Sequence, residues 1–202
     1  MRVSKETMAE HREQILAAAA ARFRERGFDG ISVAELMKEV GLTHGGFYGH
    51  FSSKEELMAL AVSRAMSDAA ARWQKVIDEA PGDPLGALAK HYLSMRHHDH
   101  PETGCLFATL GSELARQPAS VRNAVTEGRT QFFDMTARIV PGPTRADRKK
   151  RAMAIVASMV GGMILARSVS DPELGLEILE SVKASVASSV QEALASVRGS
   201  QF

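Results

Sequence analysis

The chain has 202 residues, of which 45% are hydrophobic, so it is long enough to bury a core of ordinary size. Its formal net charge of +1 excludes the charge imbalance that would by itself indicate a nucleic-acid or membrane partner. The single cysteine, Cys105, excludes an intramolecular disulfide framework and is typical of a reducing compartment.

The N-terminal residues lack the apolar run of a signal peptide, and no later segment offers about 18 uninterrupted apolar residues. We therefore expect a cytoplasmic protein with no membrane partner.

Two helices are predicted near the N-terminus. Residues 5–26 carry apolar side chains at helical spacing, and Gly27 stands where this helix would end. Ser32 and Glu35 form the signature of a capping box, in which the serine hydroxyl and the glutamate carboxylate each satisfy a free backbone N–H. This signature predicts a short second helix at about 33–40.

A glycine and two capping residues predict the next two helices. Gly41 allows a tight turn, and Thr43 is a good N-cap for a short third helix. Ser53 with Glu56 repeats the capping signature and predicts a long fourth helix at roughly 53–79.

Longer helices separated by prolines are predicted for the rest of the chain, at about 84–97, 103–116, 119–139, 145–169 and 173–197. No strand-like alternation of useful length occurs. The predicted fold class is all-α, with a three-helix N-terminal domain at 1–52 and a larger helical domain at 53–202.

The stretch GLTHGGFYGHF, residues 41–51, contains four glycines although it lies between predicted helices. Each glycine inside a helix costs about 0.5–1 kcal/mol relative to alanine. Two short helices joined by a glycine turn are typical of a helix-turn-helix, whose second helix enters the DNA major groove. Glycines at Gly45, Gly46 and Gly49 would let the backbone of that helix approach the groove closely.

The larger side chains around these glycines suit contacts to DNA phosphates. Tyr48 and His50 offer hydrogen bonds, and Thr43 and His44 lie at the predicted helix N-terminus, where the helix dipole favours anions. Lys54 begins the next helix. Phe47 and Phe51 are more plausible as core residues that anchor this helix.

The segment SVAELMKEVGLTHGGFYGHFSSKEEL resembles the DNA-binding domain of the TetR family of bacterial transcriptional regulators, over about residues 10–60. The rest of the chain resembles the family only in the number and order of helices. The resemblance implies that one set of residues lies at the major groove, namely Thr43, His44, Gly45, Gly46, Tyr48 and His50. It also implies that Ser32 and Lys54 hold phosphates.

The sequence departs from the family pattern at His44, Gly46 and Gly49, where the family often has lysine, a small hydroxyl residue and arginine. Residues 1–56 contain eight Lys/Arg and nine Asp/Glu, so this part of the chain lacks the usual basic excess of a DNA-binding domain. Residues 41–54 contain no acid, and this local surface favours DNA binding.

Apolar and aromatic residues of the long helices form the predicted core, and a regulator of this family would enclose a ligand cavity among them. The candidate ligand contacts are Trp73, Tyr92, Met95, Cys105, Phe107, Phe132 and Phe133. Cys105 follows Gly104 at a predicted helix start, where the dipole would lower the pKa of its thiol and favour a sensor of electrophiles or oxidants. A small buried core residue is the alternative.

Two polar runs have simpler interpretations. RHHDH, residues 96–100, contains metal-ligand residue types, but a solvated helix end is favoured over a metal site. RADRKKR, residues 145–151, is interpreted as a charged helix start on the surface. We expect no metal and no cofactor.

The last two predicted helices carry apolar stripes, and in the TetR family these helices form the homodimer. A symmetric pair would place two reading helices about 34–36 Å apart, which matches successive major grooves.

Three functions follow as hypotheses. The first is a homodimeric regulator, a repressor, that binds a palindromic operator and is released by a small-molecule inducer. The second is a helical enzyme, against which the chain has no P-loop, GxGxxG, HExxH or GxSxG motif. The third is a helical ligand-binding or scaffold protein that has lost DNA binding.

Overall fold

The computed structural model describes residues 4–199, apart from the side chains of residues 190 and 192–199. Within this range the chain is helical and has no strand, which confirms the all-α prediction. The α-helices are α1 (Lys5–Arg26), α2 (Val33–Glu39), α3 (Lys54–Asp78), α4 (Pro84–Tyr92), α5 (Met95–Asp99), α6 (Leu106–Leu114), α7 (Ala119–Ile139), α8 (Arg145–Ser168) and α9 (Pro172–Gly199). Two 3-10 helices occupy His44–Gly49 and Pro101–Thr103.

The helices form two compact units. The first contains residues 1–68 and 101–128, and the second contains residues 69–100 and 129–202. The chain therefore passes between the units three times: inside α3, between residues 100 and 101, and inside α7. The proposed functional boundary at residue 52 remains a prediction.

Local capping explains the helix ends of the first unit. The Ser32 hydroxyl accepts from the Glu35 N–H at 3.2 Å, and the Glu35 carboxylate accepts from the Ser32 N–H at 2.8 Å, so the predicted capping box is formed. Gly27 and Gly41 end α1 and α2 with φ values of 82° and 74°, a left-handed backbone that other residues rarely adopt.

The capping prediction for the start of α3 is only half right. Ser53 Oγ does accept from the Glu56 N–H at 3.0 Å. The Glu56 carboxylate, however, accepts from the Ser52 N–H at 2.7 Å and from the Ser52 hydroxyl at 2.6 Å, instead of returning to Ser53.

Three predicted helices differ in the structure. The short third helix is a 3-10 helix, and the predicted 103–116 helix begins only at Leu106. The predicted 84–97 helix is broken at Leu93 and Ser94, because Ser94 has an extended backbone and its hydroxyl accepts from the His97 N–H at 3.3 Å, which starts α5. A serine that caps a new helix interrupts the previous one, since its own backbone cannot stay helical.

The second unit buries an aromatic cluster and the inner faces of the last two helices. Its buried side chains include Trp73, Leu85, Leu88, Tyr92, Leu93, Phe132, Met135, Ile155, Val156, Met159, Met163, Leu179 and Val186. α8 packs against α9, and a Cβ on Gly162 would lie only 2.8 Å from Val182 Cγ2. Glycine at 162 therefore allows the close approach of these two helices.

By length and composition alone, α8 could cross a membrane. Its stripe of Ala152, Ile155, Val156, Met159 and Met163 is buried within the second unit. Core helices of water-soluble proteins pass the same test, so this helix is weak evidence for a membrane segment.

The histidine run of residues 96–100 is not simply a solvated helix end. His97 is largely buried: its ring centroid lies 4.5 Å from that of Tyr92, and its Nδ1 lies 2.7 Å from the Tyr92 carbonyl oxygen. Arg167 of α8 donates to the carbonyls of His97 and His98. The run thus connects α5 to α8, and no group of metal-ligating side chains occurs among the described residues.

Candidate nucleic-acid interface

The 3-10 helix His44–Gly49, called here the Gly-rich helix, is attached to the first unit by one face. Thr43 caps its N-terminus, because the threonine hydroxyl accepts from the Gly46 N–H at 3.3 Å. Phe47 and Phe51 are 1% and 2% exposed, and their ring centroids lie 5.5 Å apart in a stacked arrangement. The prediction that these two phenylalanines are core residues is confirmed.

The opposite face of the Gly-rich helix is open. Tyr48 is 68% exposed, and the edge of its ring faces His44 at 6.4 Å between ring centroids. His44, Gly45, Gly46 and Gly49 are also exposed. These residues therefore form one accessible surface with a tyrosine and a histidine side chain beside bare backbone.

The three glycines of this surface are not required by the fold of the chain itself. None of them has a positive φ. A Cβ on Gly45 would have no neighbour within 4 Å, while one on Gly46 or Gly49 would have its nearest neighbour at 3.5 Å or 3.9 Å. Alanine would fit at each position and favours helix more than glycine does. Neither the backbone conformation nor the packing of the described residues therefore requires glycine at these three positions.

His50 lies at the C-terminal end of the Gly-rich helix and is half-buried. Its ring centroid lies 6.0 Å from that of His11 in α1. Burial, and then the nearby His11 and Arg12, hold the pKa of His50 below its usual value. The His50 ring is therefore biased towards its neutral form in the absence of an anion.

Ser32 and Lys54, the two predicted phosphate ligands outside the Gly-rich helix, both make local contacts. The Ser32 hydroxyl takes part in the α2 capping box. Lys54 Nζ donates to the Ile31 carbonyl at 3.3 Å and lies 4.0 Å from an Asp29 carboxylate oxygen. Ser32 caps the start of α2, and Lys54 is the first residue of α3. Contact of either residue with phosphate remains a prediction.

Sequence reasoning missed Arg12, which contacts the end of the Gly-rich helix. Arg12 donates to the His50 carbonyl, and its guanidinium carbon lies 4.4 Å from the centroid of the Phe51 ring. A signal was present in the sequence, because Arg12 stands on the same face of α1 as the buried residues Ile15 and Ala19.

The candidate ligand residues fall into two groups. Trp73, Tyr92 and Phe132 meet in the second unit, with ring centroids 5.9 Å apart for Trp73 and Tyr92 and 4.7 Å apart for Trp73 and Phe132. Met95 and Phe133 are half-buried in the same unit. Cys105 and Phe107 belong to the first unit. Cys105 is half-buried immediately before α6, as predicted for a helix start.

Two family models match the chain. The model of the bacterial regulatory proteins of the tetR family matches residues 15–61, and the model of the tetracyclin repressor-like C-terminal domain matches residues 81–182.

Named relatives agree with these matches. The chain is 34% identical over 174 residues to the HTH-type transcriptional regulator TtgR of Pseudomonas putida, which covers 80% of this chain and 82% of TtgR. It is 26% identical over 129 residues to the HTH-type transcriptional repressor NemR of Escherichia coli, covering 62% of this chain and 65% of NemR. The match to NemR thus spans just under two thirds of that relative.

Solved structures share the fold. The crystal structure of reduced E. coli NemR superposes with a TM-score of 0.74 at 21% identity, covering 88% of this chain and 95% of that one. A TetR transcriptional regulator from Chloroflexus aurantiacus gives a TM-score of 0.75 at 24% identity, covering 92% and 96%. With both family models and the TtgR relative in agreement, this chain belongs to the tetR family of bacterial regulatory proteins.

Proposed function

We propose that this protein is a cytoplasmic transcriptional repressor without enzymatic activity, which binds a palindromic operator as a homodimer and is released by a small molecule. The observation that carries the proposal is the open face of the Gly-rich helix. Three glycines there are exposed and sterically unnecessary, as expected where a foreign surface must approach the backbone. The major groove admits such a helix, with Tyr48 and His50 beside it for phosphate contacts.

The homodimer is supported by apolar side chains that the second unit leaves uncovered. Ile164 and Leu165 of α8 are 42% and 58% exposed, and Leu174 and Leu176 of α9 are 42% and 45% exposed. Gly161 is only partly buried, and a Cβ there would meet no atom within 4 Å. Clustered exposed apolar residues mark interaction surfaces, and a second copy of the same face gives a closed two-fold pair.

The effector is proposed to contact the aromatic cluster of Trp73, Tyr92 and Phe132 in the second unit, with Met95 and Phe133 as further contacts there. Cys105 and Phe107 of the first unit remain predicted ligand contacts. Edge-to-face aromatic rings provide a large apolar surface of defined shape. This chemistry suits a small, largely apolar inducer.

Contacts inside the first unit support a route from α6 to the DNA-binding helices. The Glu113 carboxylate of α6 accepts from the Phe28 N–H at 3.0 Å, just after α1. Arg24 of α1 donates to the Glu102 carbonyl at 2.8 Å. An effector that displaced α6 would shift α1 as well, so that operator and effector each weaken the binding of the other.

Replacing Tyr48 by alanine is expected to weaken operator binding about ten- to hundredfold, because a charge-assisted hydrogen bond to phosphate contributes on the order of 1.5–3 kcal/mol. The free energy of unfolding should change by less than about 0.5 kcal/mol, since the side chain is mostly exposed. Fluorescence anisotropy on a labelled operator duplex measures the first effect, and urea unfolding measures the second.

Tyr48→Phe is the matched variant for this prediction. It keeps the ring beside His44 and removes the hydroxyl, so an equal loss of affinity assigns the effect to the hydrogen bond. Wild-type affinity in Tyr48→Ala would remove Tyr48 from the proposed interface.

A scaffold protein that has lost DNA binding is the second candidate. It is favoured by the balance of eight basic and nine acidic residues in positions 1–56. Failure of the purified protein to retain any genomic DNA fragment, at low as well as physiological salt, would support this alternative.

A further inference from the structure

Arg12, Glu56 and Ser52 form a hydrogen-bonded network next to the C-terminal end of the Gly-rich helix. Arg12 of α1 donates to the His50 carbonyl and lies 3.4 Å, through Nη2, from Glu56 Oε1 of α3. Its guanidinium group also covers the Phe51 ring. The carbonyls at a helix C-terminus have no partner within the helix and carry partial negative charge, so a guanidinium group is well suited to this position.

Glu56 divides its two oxygens between two partners. Oε2 accepts both the backbone N–H and the hydroxyl of Ser52, and Oε1 faces Arg12. Hydrogen bonds from Ser52, and then the contact with Arg12, hold the pKa of Glu56 below its usual value. The carboxylate therefore stays ionised at neutral pH and joins the first turn of α3 to the Arg12 guanidinium group.

The Gly-rich helix needs such an anchor because it has little stability of its own. Three of its six residues are glycine, and a 3-10 helix of this length has only a few internal hydrogen bonds. Phe47 and Phe51 hold the inner face of this helix against the first unit. The C-terminal end, next to Tyr48 and His50, needs a contact of its own. Without Arg12, that end would have more conformations to lose on binding.

We infer that Arg12 is a positioning residue for DNA recognition, which fixes the C-terminal end of the Gly-rich helix and so pre-orders Tyr48 and His50. The inference rests on the proposed function, but its structural half concerns the DNA-free protein. Glu56 keeps the guanidinium group in place. Arg12 acts through the His50 carbonyl and makes no contact with a phosphate itself.

Amide hydrogen exchange of the DNA-free protein tests the structural half. The His50 and Phe51 N–H groups both donate to the Phe47 carbonyl, at 2.9 Å and 3.0 Å. Arg12→Gln should speed their exchange at least tenfold, whereas Arg26→Gln, a control at an exposed position on the same helix, should leave it unchanged. Equal exchange in wild type and Arg12→Gln would overturn the inference.

Operator affinity as a function of salt tests the functional half. Arg12→Gln should weaken binding about tenfold while leaving the slope of log affinity against log salt unchanged. A slope smaller by about one would instead show that Arg12 contacts a phosphate directly, which would overturn the positioning role. If wild-type protein bound no DNA, the proposed function would fail, whereas the exchange result would still decide whether Arg12 holds the helix.

Arg12→Lys separates geometry from charge and covers the case in which Arg12→Gln does not fold. One ammonium group cannot replace the separate contacts of the guanidinium group with the His50 carbonyl, with Glu56 and with the Phe51 ring, so we expect exchange and affinity between those of wild type and Arg12→Gln. Wild-type exchange and affinity in Arg12→Lys would show that the positive charge alone suffices. That result would contradict a positioning role that depends on the guanidinium contacts with His50, Glu56 and Phe51.

Discussion

Replacing Phe47 by alanine should lower the free energy of unfolding of the first unit by about 3–5 kcal/mol, the cost of deleting a fully buried phenylalanine. Phe47 is 1% exposed and lies between the rings of Tyr48 and Phe51, at 5.3 Å and 5.5 Å between centroids. Because the six-residue Gly-rich helix has three glycines, it depends on this contact more than an ordinary helix would.

Urea unfolding of Phe47→Ala and of the matched variant Tyr48→Ala measures this effect. Tyr48→Ala removes a ring of similar size from the adjacent position, but Tyr48 is exposed and its loss should be nearly neutral for stability. A large difference between the two variants is the expected result. If Phe47→Ala were as stable as Tyr48→Ala, the assignment of the inner and outer faces of the Gly-rich helix would be wrong.

Lowering the pH from 6.5 to 4 should remove about 3 kcal/mol of stability through His97 alone. Burial is the main cause that lowers the pKa of His97 to about 4; the hydrogen bond to the Tyr92 carbonyl partly opposes it, and the nearby Arg167, His91 and Arg72 add to it. Between pH 6.5 and 4, His97 is therefore mostly protonated in the unfolded chain and mostly neutral in the folded chain. The contribution is fully present above 6.5 and is lost as the pH falls towards 4, at about 1.4 kcal/mol per pH unit.

His97→Asn is the matched variant for the pH experiment. An asparagine amide can replace the Nδ1–H group facing the Tyr92 carbonyl, but it does not titrate. Urea midpoints between pH 7 and 4 should fall less steeply in this variant than in wild type. Parallel curves would show that His97 is not the buried neutral group described above.

Local sequence signals predicted much of the fold. Capping side chains and glycine turns placed the ends of α1 and α2 within one or two residues, because these ends depend on residues three positions apart. The break at Leu93 and Ser94 was not predicted, since a serine inside an apolar pattern is compatible with either a cap or a continuing helix.

The candidate site was predictable to a similar degree. The glycines, Tyr48 and the buried Phe47 could be assigned because they lie within one short segment. Arg12 and Glu56 are 44 residues apart, and only the folded chain brings Glu56 to the guanidinium group that donates to the His50 carbonyl. His97 was wrongly interpreted as part of a solvated helix end. Its burial depends on packing against Tyr92, which the charged neighbours of His97 in the sequence do not indicate.

The central claim is that two symmetric copies present the Gly-rich helix to one duplex. Sequencing the DNA that purified protein retains from a random library tests this claim most directly. Gly161→Arg serves as a dimer-breaking control, because a Cβ at this position meets no atom within 4 Å in the single chain. We predict a palindrome whose half-sites are centred about 10 base pairs, or a multiple of this, apart, retained by wild type and lost by the variant. No enriched sequence, or a single unrepeated half-site retained equally by both proteins, would contradict the claim.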